Sequence, residues 1–341
     1  MGFEQLNLFK IKMKKYKASF LVFAALFAVA FSSAQERTVW LEYEKVRCIY
    51  NLKNGRLTGN YNSFYLNGKK RAEGKLENGY RTGKWIVWDS AGRKRMERIY
   101  KNPFEYSRVF PAIPDKGPIP LLAENKYKLA YDSNGIVNYA LMRAEDAIWR
   151  HKFWRYLEPA DNDILFKNNK ILKIIFELIR SGNTTVFDIV NDRFTMPLKN
   201  DIALNLIDPD KVELVGLSLK EESIFDMGRL VSEYRILGFC PVVKIGDKVK
   251  ELFWVYYPDV RKYLGKQRVI DQDNIKIKTF DDLFIFRHFS SSIIKTTYNN
   301  PYDRYYSDYP GLKTSDLKKM AEMGELQIIE EENNIWLGLT K

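Results

Sequence analysis

Residue types that could perform catalysis are sparse in this sequence of 341 residues, and their spacing matches no catalytic or metal-binding motif. The two histidines, His151 and His288, stand far apart. Neither His-Glu-x-x-His nor paired Cys-x-x-Cys occurs, although a zinc site needs three or four ligands close together. A Gly-x-Ser-x-Gly elbow, a Gly-x-Gly-x-x-Gly turn and a P-loop are also missing. We therefore expect no catalytic, cofactor-binding or metal-binding residues, and predict that the protein is not an enzyme.

Paired carboxylates are the remaining candidates for acid–base chemistry. They occur at three places: Glu145-Asp146, Asp281-Asp282 and Glu330-Glu331-Glu332. Adjacent carboxylates on a helix point in different directions, and a hydrolytic pair depends on a spatial separation that sequence does not give. Asp281-Asp282 stand where a helix should begin, which favours a role at the positive end of the helix dipole. A hydrolase that uses carboxylates is kept as the third of three hypotheses.

The first 34 residues have the layout of a secretory signal peptide. Three lysines within residues 14–17 precede an apolar run over residues 18–31, and small residues then lead to Ala34 and Gln35. The apolar run is shorter than the roughly 20 residues that a bilayer-spanning helix needs. We predict cleavage near Ala34/Gln35 and export to the periplasm. A permanent membrane anchor is the alternative.

Export changes the interpretation of the two cysteines, Cys48 and Cys240. Both would enter an oxidising compartment in which a disulfide is permitted. A bond between them would tie the N-terminal region to the C-terminal one. The alternative is a pair of buried thiols, because sequence does not supply the geometry that a bridge demands.

Length and composition indicate a folded protein of one large or two ordinary domains. Hydrophobic residues make up 45% of the chain and charged residues 29%, which is typical of globular proteins. The formal net charge of +12 favours acidic partner surfaces. Acidic residues are scattered among the basic ones, and no long basic block occurs beyond the start. We therefore expect no nucleic-acid partner.

A repeat of 24 residues runs through residues 54–101. Asn-Gly pairs recur within it, and they are the strongest short-range cue for a β-hairpin, because both residues tolerate the positive φ of a type I′ turn. The repeated pairs are Asn54/Asn78, Gly55/Gly79, Gly59/Gly83, Tyr61/Trp85, Phe64/Trp88, Gly68/Gly92, Lys69/Arg93 and Glu73/Glu97. The spacing predicts stacked β-hairpins whose aromatic rings also stack.

The pattern Gly-x-Trp-x-x-Trp, from Gly83 to Trp88, resembles the bacterial variant of the MORN-type repeat. That resemblance is informative about fold and much less so about function. The aromatic face formed by Tyr61, Phe64, Trp85 and Trp88 is interpreted as a structural platform. The alternative is a surface that holds a lipid, a peptide or a glycan.

Composition divides the chain into four segments. A Pro-rich stretch at residues 103–124 favours extended backbone and denies helix hydrogen bonds. Beyond it we predict helices at residues 139–157, 169–181, 279–295 and 314–324, and a hairpin at 242–257. The expected fold is α+β, with a small MORN-like β-hairpin region followed by a mixed α+β domain. The predicted segments are the signal peptide (1–34), the hairpin repeats (35–102), the linker (103–124) and the α+β domain (125–341).

An ordered set of motifs in the second half carries a family resemblance. The set comprises Glu145–Arg150 with Trp154-Arg155, Tyr234–Gly238, Pro241, Glu251–Pro258 with Arg261, Thr279–Phe284, Arg287, Phe289–Ser291, Ile293–Lys295 and Tyr302–Arg304. Together these motifs resemble the GldN family, also called PorN, of the gliding-motility and type IX secretion machinery. The similarity covers roughly residues 135–340. The hairpin repeats at residues 54–101 depart from the family pattern.

The resemblance implies a periplasmic structural subunit that joins a lipoprotein of the GldK/PorK type in a ring beneath the outer membrane, peripheral to that membrane. The first hypothesis is therefore a ring subunit, and the second is the aromatic binding module. Tyr and Arg are favoured anchors at protein interfaces. We therefore predict a partner-contact surface in the Tyr-rich segment, at Tyr302, Arg304, Tyr305, Tyr306 and Tyr309.

Overall fold

A computed structural model describes residues 35–41, 45–110, 130–227, 229, 231–269 and 277–339. The signal peptide predicted for residues 1–34 lies outside the described residues, and so does most of the predicted linker. Residues from Glu36 onward form one compact unit.

The N-terminal part of that unit, up to Phe110, is an antiparallel sheet of seven strands, which we call the repeat sheet. Its strands are hydrogen-bonded in chain order, and short turns join the strands from β2 to β7. The predicted succession of hairpins is confirmed. The strands are β1 (Gln35–Leu41), β2 (Val46–Lys53), β3 (Arg56–Tyr65), β4 (Lys70–Glu77), β5 (Tyr80–Trp88), β6 (Lys94–Asn102) and β7 (Glu105–Phe110).

The repeated Asn-Gly pairs close two of these hairpins, as the sequence predicted. Asn54 and Gly55 have φ values of 50° and 73°, and Asn78 and Gly79 have values of 49° and 77°. Two consecutive residues with positive φ make a type I′ turn, whose twist matches that of the flanking strands. The sequence repeat is therefore a repeat of backbone conformation.

The repeat sheet extends past residue 102, where the hairpin region was predicted to end, because β7 lies within the stretch assigned to the linker. Pro103 falls in the β6–β7 turn, where the Asn102 side chain accepts hydrogen bonds from the backbone N–H groups of Phe104 (2.8 Å) and Glu105 (3.0 Å). The next proline is Pro111. The residues between the two prolines keep their N–H groups and can pair with β6.

The second half contains another seven-stranded antiparallel sheet, with the order β14-β8-β10-β11-β13-β9 and with β12 paired to β11. Helices accompany this sheet, and the α+β fold class is confirmed. The strands are β8 (Ala147–Leu157), β9 (Val186–Phe187), β10 (Glu213–Asp226), β11 (Val231–Ile245), β12 (Lys248–Glu251), β13 (Trp254–Tyr256) and β14 (Ser292–Thr296). The helices are α1 (Asp163–Phe166), α2 (Lys170–Arg180), α3 (Asn200–Leu204), α4 (Tyr257–Leu264), α5 (Phe280–Ile285) and α6 (Thr314–Leu339).

The prediction of a helix at residues 139–157 is wrong, because this segment contains the interior strand β8. β8 pairs with β10 on one side and with β14 on the other. Phe153 packs with Ile293 on one face of the sheet, and Trp154 packs with Trp254 on the other. A strand buried on both faces shows no strict alternation, so its apolar residues can imitate a helical stripe.

Two other predicted helices have different lengths in the structure. The segment 279–295 holds only the short α5. The helix ends because Arg287 adopts a φ of 51°, and the His288 N–H donates to the Leu283 carbonyl, an arrangement typical of helix C-termini. The β-branched residues that follow form β14. Conversely, α6 runs 15 residues beyond the predicted end at 324, since Gly324 lies inside it, where it packs closely against Ile293.

The remaining predictions for the second half are confirmed in large part. The predicted helix 169–181 is α2, although the Asn169 side chain binds the Pro209 and Val212 carbonyls and does not cap the helix. The predicted hairpin 242–257 turns at Gly246 and pairs β12 with β11. Its last strand, β13, pairs further back on β11, at Gly238 and Phe239.

The two sheets have separate hydrophobic cores. The second sheet buries its apolar residues against α2, α4 and α5, with Phe239 and Phe284 stacked at 5.7 Å. The repeat sheet buries its inner face against three residues of α6, namely Leu326, Ile329 and Trp336. A single sheet needs a second layer to cover its apolar face, so α6 is the element that completes the repeat sheet.

Replacement of Gly74 in β4 tests this packing. A Cβ at residue 74 would lie 2.2 Å from the indole ring of Trp85, which is fully buried. We expect Gly74→Ala to lower the free energy of unfolding by about 1 to 3 kcal/mol, the usual range for overpacking. Urea denaturation measures the change. The control is Gly338→Ala, whose added methyl meets open space among the described residues and should leave stability equal or slightly higher. Equal stability of the two variants would contradict the prediction.

Candidate interaction surface

Two of the four aromatic residues of the repeats, Tyr61 and Trp85, stack as predicted, but α6 covers them. Tyr61 and Trp85 are fully buried, with ring centroids 5.6 Å apart and planes inclined by 27°. The Arg81 guanidinium lies 4.1 Å from the centre of the Trp85 ring, close enough for a cation–π interaction. The buried pair therefore offers no open surface to a lipid, peptide or glycan.

The other two aromatic residues of the predicted face lie outside this core. Phe64 and Trp88 are partly buried, and the Arg47 guanidinium stacks on the Phe64 ring at 4.8 Å. The structure thus brings together only two of the four residues. The hypothesis of an aromatic binding module loses the continuous exposed face on which it depended.

Four glutamates of α6 pair with four arginines of the repeat sheet, and we call this set the Arg–Glu ladder. The pairs are Arg37–Glu322 (2.5 Å), Arg56–Glu325 (3.6 Å), Arg71–Glu330 (2.8 Å) and Arg81–Glu332 (3.2 Å). Arg37–Glu322 and Arg71–Glu330 are also charge-assisted hydrogen bonds, which are stronger than neutral ones, whereas the other two pairs are ion pairs without a hydrogen bond. The carboxylate run at residues 330–332 therefore holds two parts of the chain together.

A buried charge cluster continues the ladder into the second sheet. Arg155 of β8 donates hydrogen bonds to both Glu221 of β10 and Glu325 of α6, and Arg287 donates to Glu221. Arg56, beside the Asn54-Gly55 turn, completes the set. None of these five side chains exposes more than 3% of its surface. The cluster joins the repeat sheet, the second sheet and α6 at a single point.

The cluster changes the proton affinity of its members. Burial alone would raise the pKa of Glu221, but the positive charges of Arg155, Arg287 and Arg56 outweigh burial and lower that pKa to about 2. Burial, followed by the like charges of Arg287 and Arg155, lowers the pKa of Arg56 to about 9. The charge of Arg56 is therefore only partly compensated by the carboxylates of the cluster.

Sequence reasoning missed this cluster, because its members are scattered from residue 56 to residue 325. The one hint is the run Lys220-Glu221-Glu222 inside β10. Consecutive charged residues in a central strand must be buried on one face or the other, and buried charges need partners. No pattern in the sequence identifies those partners.

The predicted Tyr-rich contact segment splits into an exposed part and a buried part. Tyr302 is 77% exposed, Arg304 is exposed and Tyr309 is partly exposed. The Arg304 guanidinium lies 5.3 Å from the Tyr302 ring and 5.7 Å from the Tyr309 ring. These three residues form an outward-facing stack, which we call the Tyr–Arg–Tyr stack.

The other two predicted contact residues point into the protein. Tyr305 packs against the ammonium group of Lys295 at 4.8 Å, and Tyr306 is buried beside Phe153 and Ile293. The Asn300 side chain bonds the backbone of Arg304 on both sides, donating to its carbonyl (2.8 Å) and accepting from its N–H (3.0 Å). The loop that carries the Tyr–Arg–Tyr stack is therefore held in one conformation.

The two cysteines occupy different hydrophobic clusters and are not joined by a disulfide. The Cys48 sulfur lies 3.3 Å from the Tyr61 hydroxyl, inside the repeat-sheet core. Cys240 packs with Trp154 and Trp254, where burial raises the pKa of its thiol. The structure has the alternative arrangement that the sequence left open, which is two buried thiols.

The paired carboxylates of the sequence have structural roles where the contacts define them. Asp281 accepts hydrogen bonds from the Tyr257 hydroxyl (2.6 Å) and from Arg261 (2.9 Å). Asp282 forms a capping box with Thr279 at the start of α5, where the sequence placed a helix N-terminus. Across the described ranges, no group of three or more His, Cys, Asp or Glu side chains is arranged to hold a metal ion.

A groove of about 450 Å³ lies where the repeat sheet, β14 and the first turns of α6 meet. Asn54 and Gly55 form one wall, Ser290–Ile294 a second, and Leu317 and Ala321 a third. Its walls come from distant parts of the chain, so no sequence pattern could have predicted it.

None of the helices in the described part of the chain is both long enough and apolar enough to span a bilayer.

The substitution Glu325→Gln tests how much the buried charge cluster contributes to stability. Glu325→Gln removes one of two carboxylates and leaves Arg56 and Arg155 with Glu221 as their nearest counter-charge. We expect a loss of about 3 to 5 kcal/mol in the free energy of unfolding, as when one partner of a buried ion pair is removed. Glu331→Gln, on the same helix but outside the Arg–Glu ladder, should change stability by less than about 0.5 kcal/mol. A loss below about 1 kcal/mol for Glu325→Gln would contradict the assignment.

The low pKa of Glu221 predicts acid sensitivity. A carboxyl whose folded pKa (about 2) lies below its ordinary value of 4.5 stabilises the fold above pH 4.5. That contribution is lost as the pH falls towards 2, and it amounts to about 3 kcal/mol. Urea denaturation at several pH values between 6 and 2.5 should show this decline, and Glu221→Gln should flatten it. If the free energy of unfolding fell equally with pH in the wild-type protein and the variant, Glu221 would not be the cause of the acid sensitivity.

A comparison with known protein families assigns the chain to one of them. The family model described as "Gliding motility associated protein GldN" matches residues 142–337, which is more than half of the chain. No curated protein is significantly similar to the chain. The matched region contains all of the second sheet and nearly all of α6, whereas the repeat sheet lies outside it. The resemblance seen in the sequence motifs is confirmed, and the chain belongs to the GldN family, a component of the gliding-motility and type IX secretion machinery.

Proposed function

We propose that this protein is a periplasmic, non-enzymatic subunit that assembles into a ring at the outer membrane together with a lipoprotein of the GldK/PorK type. Membership of the GldN family supports a place in the secretion machinery. The signal-peptide layout of residues 1–34 supports export. The protein contributes binding surface to the assembly.

One observation carries the proposal. Glu330, Glu332 and the Tyr61–Trp85 pair, which were candidates for chemistry or ligand binding, are buried between α6 and the repeat sheet. The Tyr–Arg–Tyr stack, by contrast, faces outward in a fixed loop. Tyr and Arg supply large contact areas and dominate the energetics of interfaces. A loop that is already ordered loses little entropy on binding. We therefore propose the stack as a contact surface for a protein partner.

Isolation of native complexes tests the function. The tagged protein, expressed in its own bacterium, should localise to the periplasm and co-purify with an outer-membrane lipoprotein in an assembly of many copies. Mass measurement of the native complex gives the stoichiometry. A monomer that binds no lipoprotein would contradict the proposal, and so would a form found only in the cytosol.

The double variant Tyr302→Ala/Arg304→Ala tests the contact surface. Both side chains are exposed, so the free energy of unfolding should change by less than about 0.5 kcal/mol. Loss of two anchors should weaken partner binding at least tenfold, since about 1.4 kcal/mol corresponds to tenfold. Binding can be measured by surface-immobilised capture of the purified lipoprotein.

The matched control is Val249→Ala, at a side chain that is 63% exposed on the β11–β12 hairpin and outside the Tyr–Arg–Tyr stack. It should bind the lipoprotein like the wild-type protein. Equal affinity of the double variant and this control would remove the Tyr–Arg–Tyr stack as the contact surface.

A further inference from the structure

Four Asn-Gly pairs occur in the sequence, and this dipeptide is the one most prone to spontaneous deamidation. Glycine has no side chain to shield its backbone nitrogen, so that nitrogen can attack the side-chain carbonyl carbon of the preceding asparagine. The reaction needs a glycine N–H that can lose its proton and an asparagine side chain that can turn towards it. The pairs are Asn54-Gly55, Asn67-Gly68, Asn78-Gly79 and Asn134-Gly135.

In three of these pairs, the glycine N–H already donates a hydrogen bond to a backbone carbonyl. The bonds run from Gly68 to Tyr65 (3.0 Å), from Gly79 to Leu57 (2.9 Å) and from Gly135 to Asp132 (3.0 Å). Each bond has to break before the glycine nitrogen can lose its proton and attack. The fold therefore protects the three pairs, because the open state costs free energy.

The side chains of two of these asparagines are held as well. Asn67 donates to the Ser90 carbonyl (3.2 Å) and accepts from the Lys69 N–H (3.0 Å). Asn134 donates to the carboxylate of Asp132 (3.3 Å). An amide that is tied in this way loses its bonds when it turns towards the next residue.

The Asn54-Gly55 pair has neither restraint. Within the part of the chain that the structure describes, the Gly55 N–H and the Asn54 side chain make no hydrogen bond, and Asn54 is exposed. The best comparison is Asn78-Gly79, since both pairs have two consecutive positive φ values and close the same kind of hairpin. Only the second turn packs against the carbonyl of Leu57.

The charges around the first turn favour the same reaction. Lys53 precedes the pair and is exposed, and Arg56 follows it. Arg56 belongs to the buried cluster, in which three guanidinium groups face two carboxylates. The resulting positive potential stabilises both the nitrogen anion that attacks and the oxyanion that forms.

We propose that Asn54 is a site of spontaneous deamidation in the folded protein and that it reacts before the asparagines of the other three pairs. Hydroxide takes the Gly55 N–H proton, and the Gly55 nitrogen forms a bond to Asn54 Cγ. The bond between Cγ and the side-chain nitrogen breaks, and that nitrogen takes a proton from water and leaves as ammonia. Water then opens the cyclic succinimide at either carbonyl, which yields aspartate or isoaspartate without any oxidant or reductant.

Isoaspartate at this position disturbs the joint between the repeat sheet and the second sheet. It routes the main chain through the side-chain methylene and so lengthens the turn. Gly55 has little room to shift, since a Cβ built on it would lie 2.5 Å from the Ser291 carbonyl oxygen. The same turn leads into Arg56, whose Nε lies 3.6 Å from Glu325 Oε1 in the buried cluster. Isoaspartate therefore weakens the cluster, whereas ordinary aspartate keeps the original backbone.

Peptide mass mapping tests the site. The purified protein is kept at mildly alkaline pH, and samples are digested with a protease that leaves each Asn-Gly pair in its own peptide. The mass gain that accompanies conversion of the amide to the acid is followed over time. We expect Asn54 to react at least about fivefold faster than Asn78, the factor that corresponds to one hydrogen bond that must first break.

The same protein in concentrated urea is the control, because unfolding removes the hydrogen bonds of all four pairs. The four asparagines should then react at similar rates. Equal rates for Asn54 and Asn78 in the folded protein would overturn the inference. A preference for Asn54 that persists unchanged in urea would overturn it too, because the fold would then not be its cause.

The variant Asn54→Asp separates the effects of the two products. It adds the charge but keeps the backbone, and Asp accepts a positive φ. The freshly purified variant should unfold at the same urea concentration as the fresh wild-type protein. Wild-type protein that has aged until Asn54 is converted should unfold at a lower urea concentration, in proportion to its isoaspartate content. Aged protein as stable as fresh protein would contradict the effect on the joint.

Discussion

The structure depends on the position of Arg155 between Glu221 and Glu325. This guanidinium lies in a central strand and is fully buried, so its desolvation is compensated only while both carboxylates stay in place. One carboxylate belongs to the second sheet and the other to α6. Arg56 brings the end of a repeat hairpin to the same point. The strands, the helix and the hairpin therefore have to come together. If one of them were displaced, buried charges on the others would lose their partners.

The long helix α6 links the second sheet to the repeat sheet. One part of it packs against β14 through Ala321 and Ile328, and another covers the repeat sheet through Leu326, Ile329 and Trp336. Its glutamates pair with arginines along the same path. Glu330 and Glu332, two of the candidate carboxylates, are thereby used to hold the repeat sheet. The outward-facing Tyr–Arg–Tyr stack fits a component that works by contact with other proteins.

The repeat sheet is an addition to the part of the chain that matches the GldN family. It contributes the arginines of the Arg–Glu ladder, whereas the matched part contributes the glutamates. The added region thus binds a helix face that the family region provides. The repeat sheet has one apolar face and gains stability where the complementary face of α6 covers it.

Local signals in the sequence determined the hairpins of the repeat sheet, the helix α2 and the start of α5. Asn54-Gly55, Asn78-Gly79 and the Thr279–Asp282 capping box act through residues close in the chain, so their conformations can be predicted without the rest of the protein. The ordered motifs likewise identified the family. Tertiary structure alone decided that β8 is a strand. Its apolar residues lie on both faces of a sheet, and its partner strands β10 and β14 come from distant parts of the chain. It also decided the length of α6 and the partners of Arg155, since burial and charge pairing depend on residues more than 60 positions away.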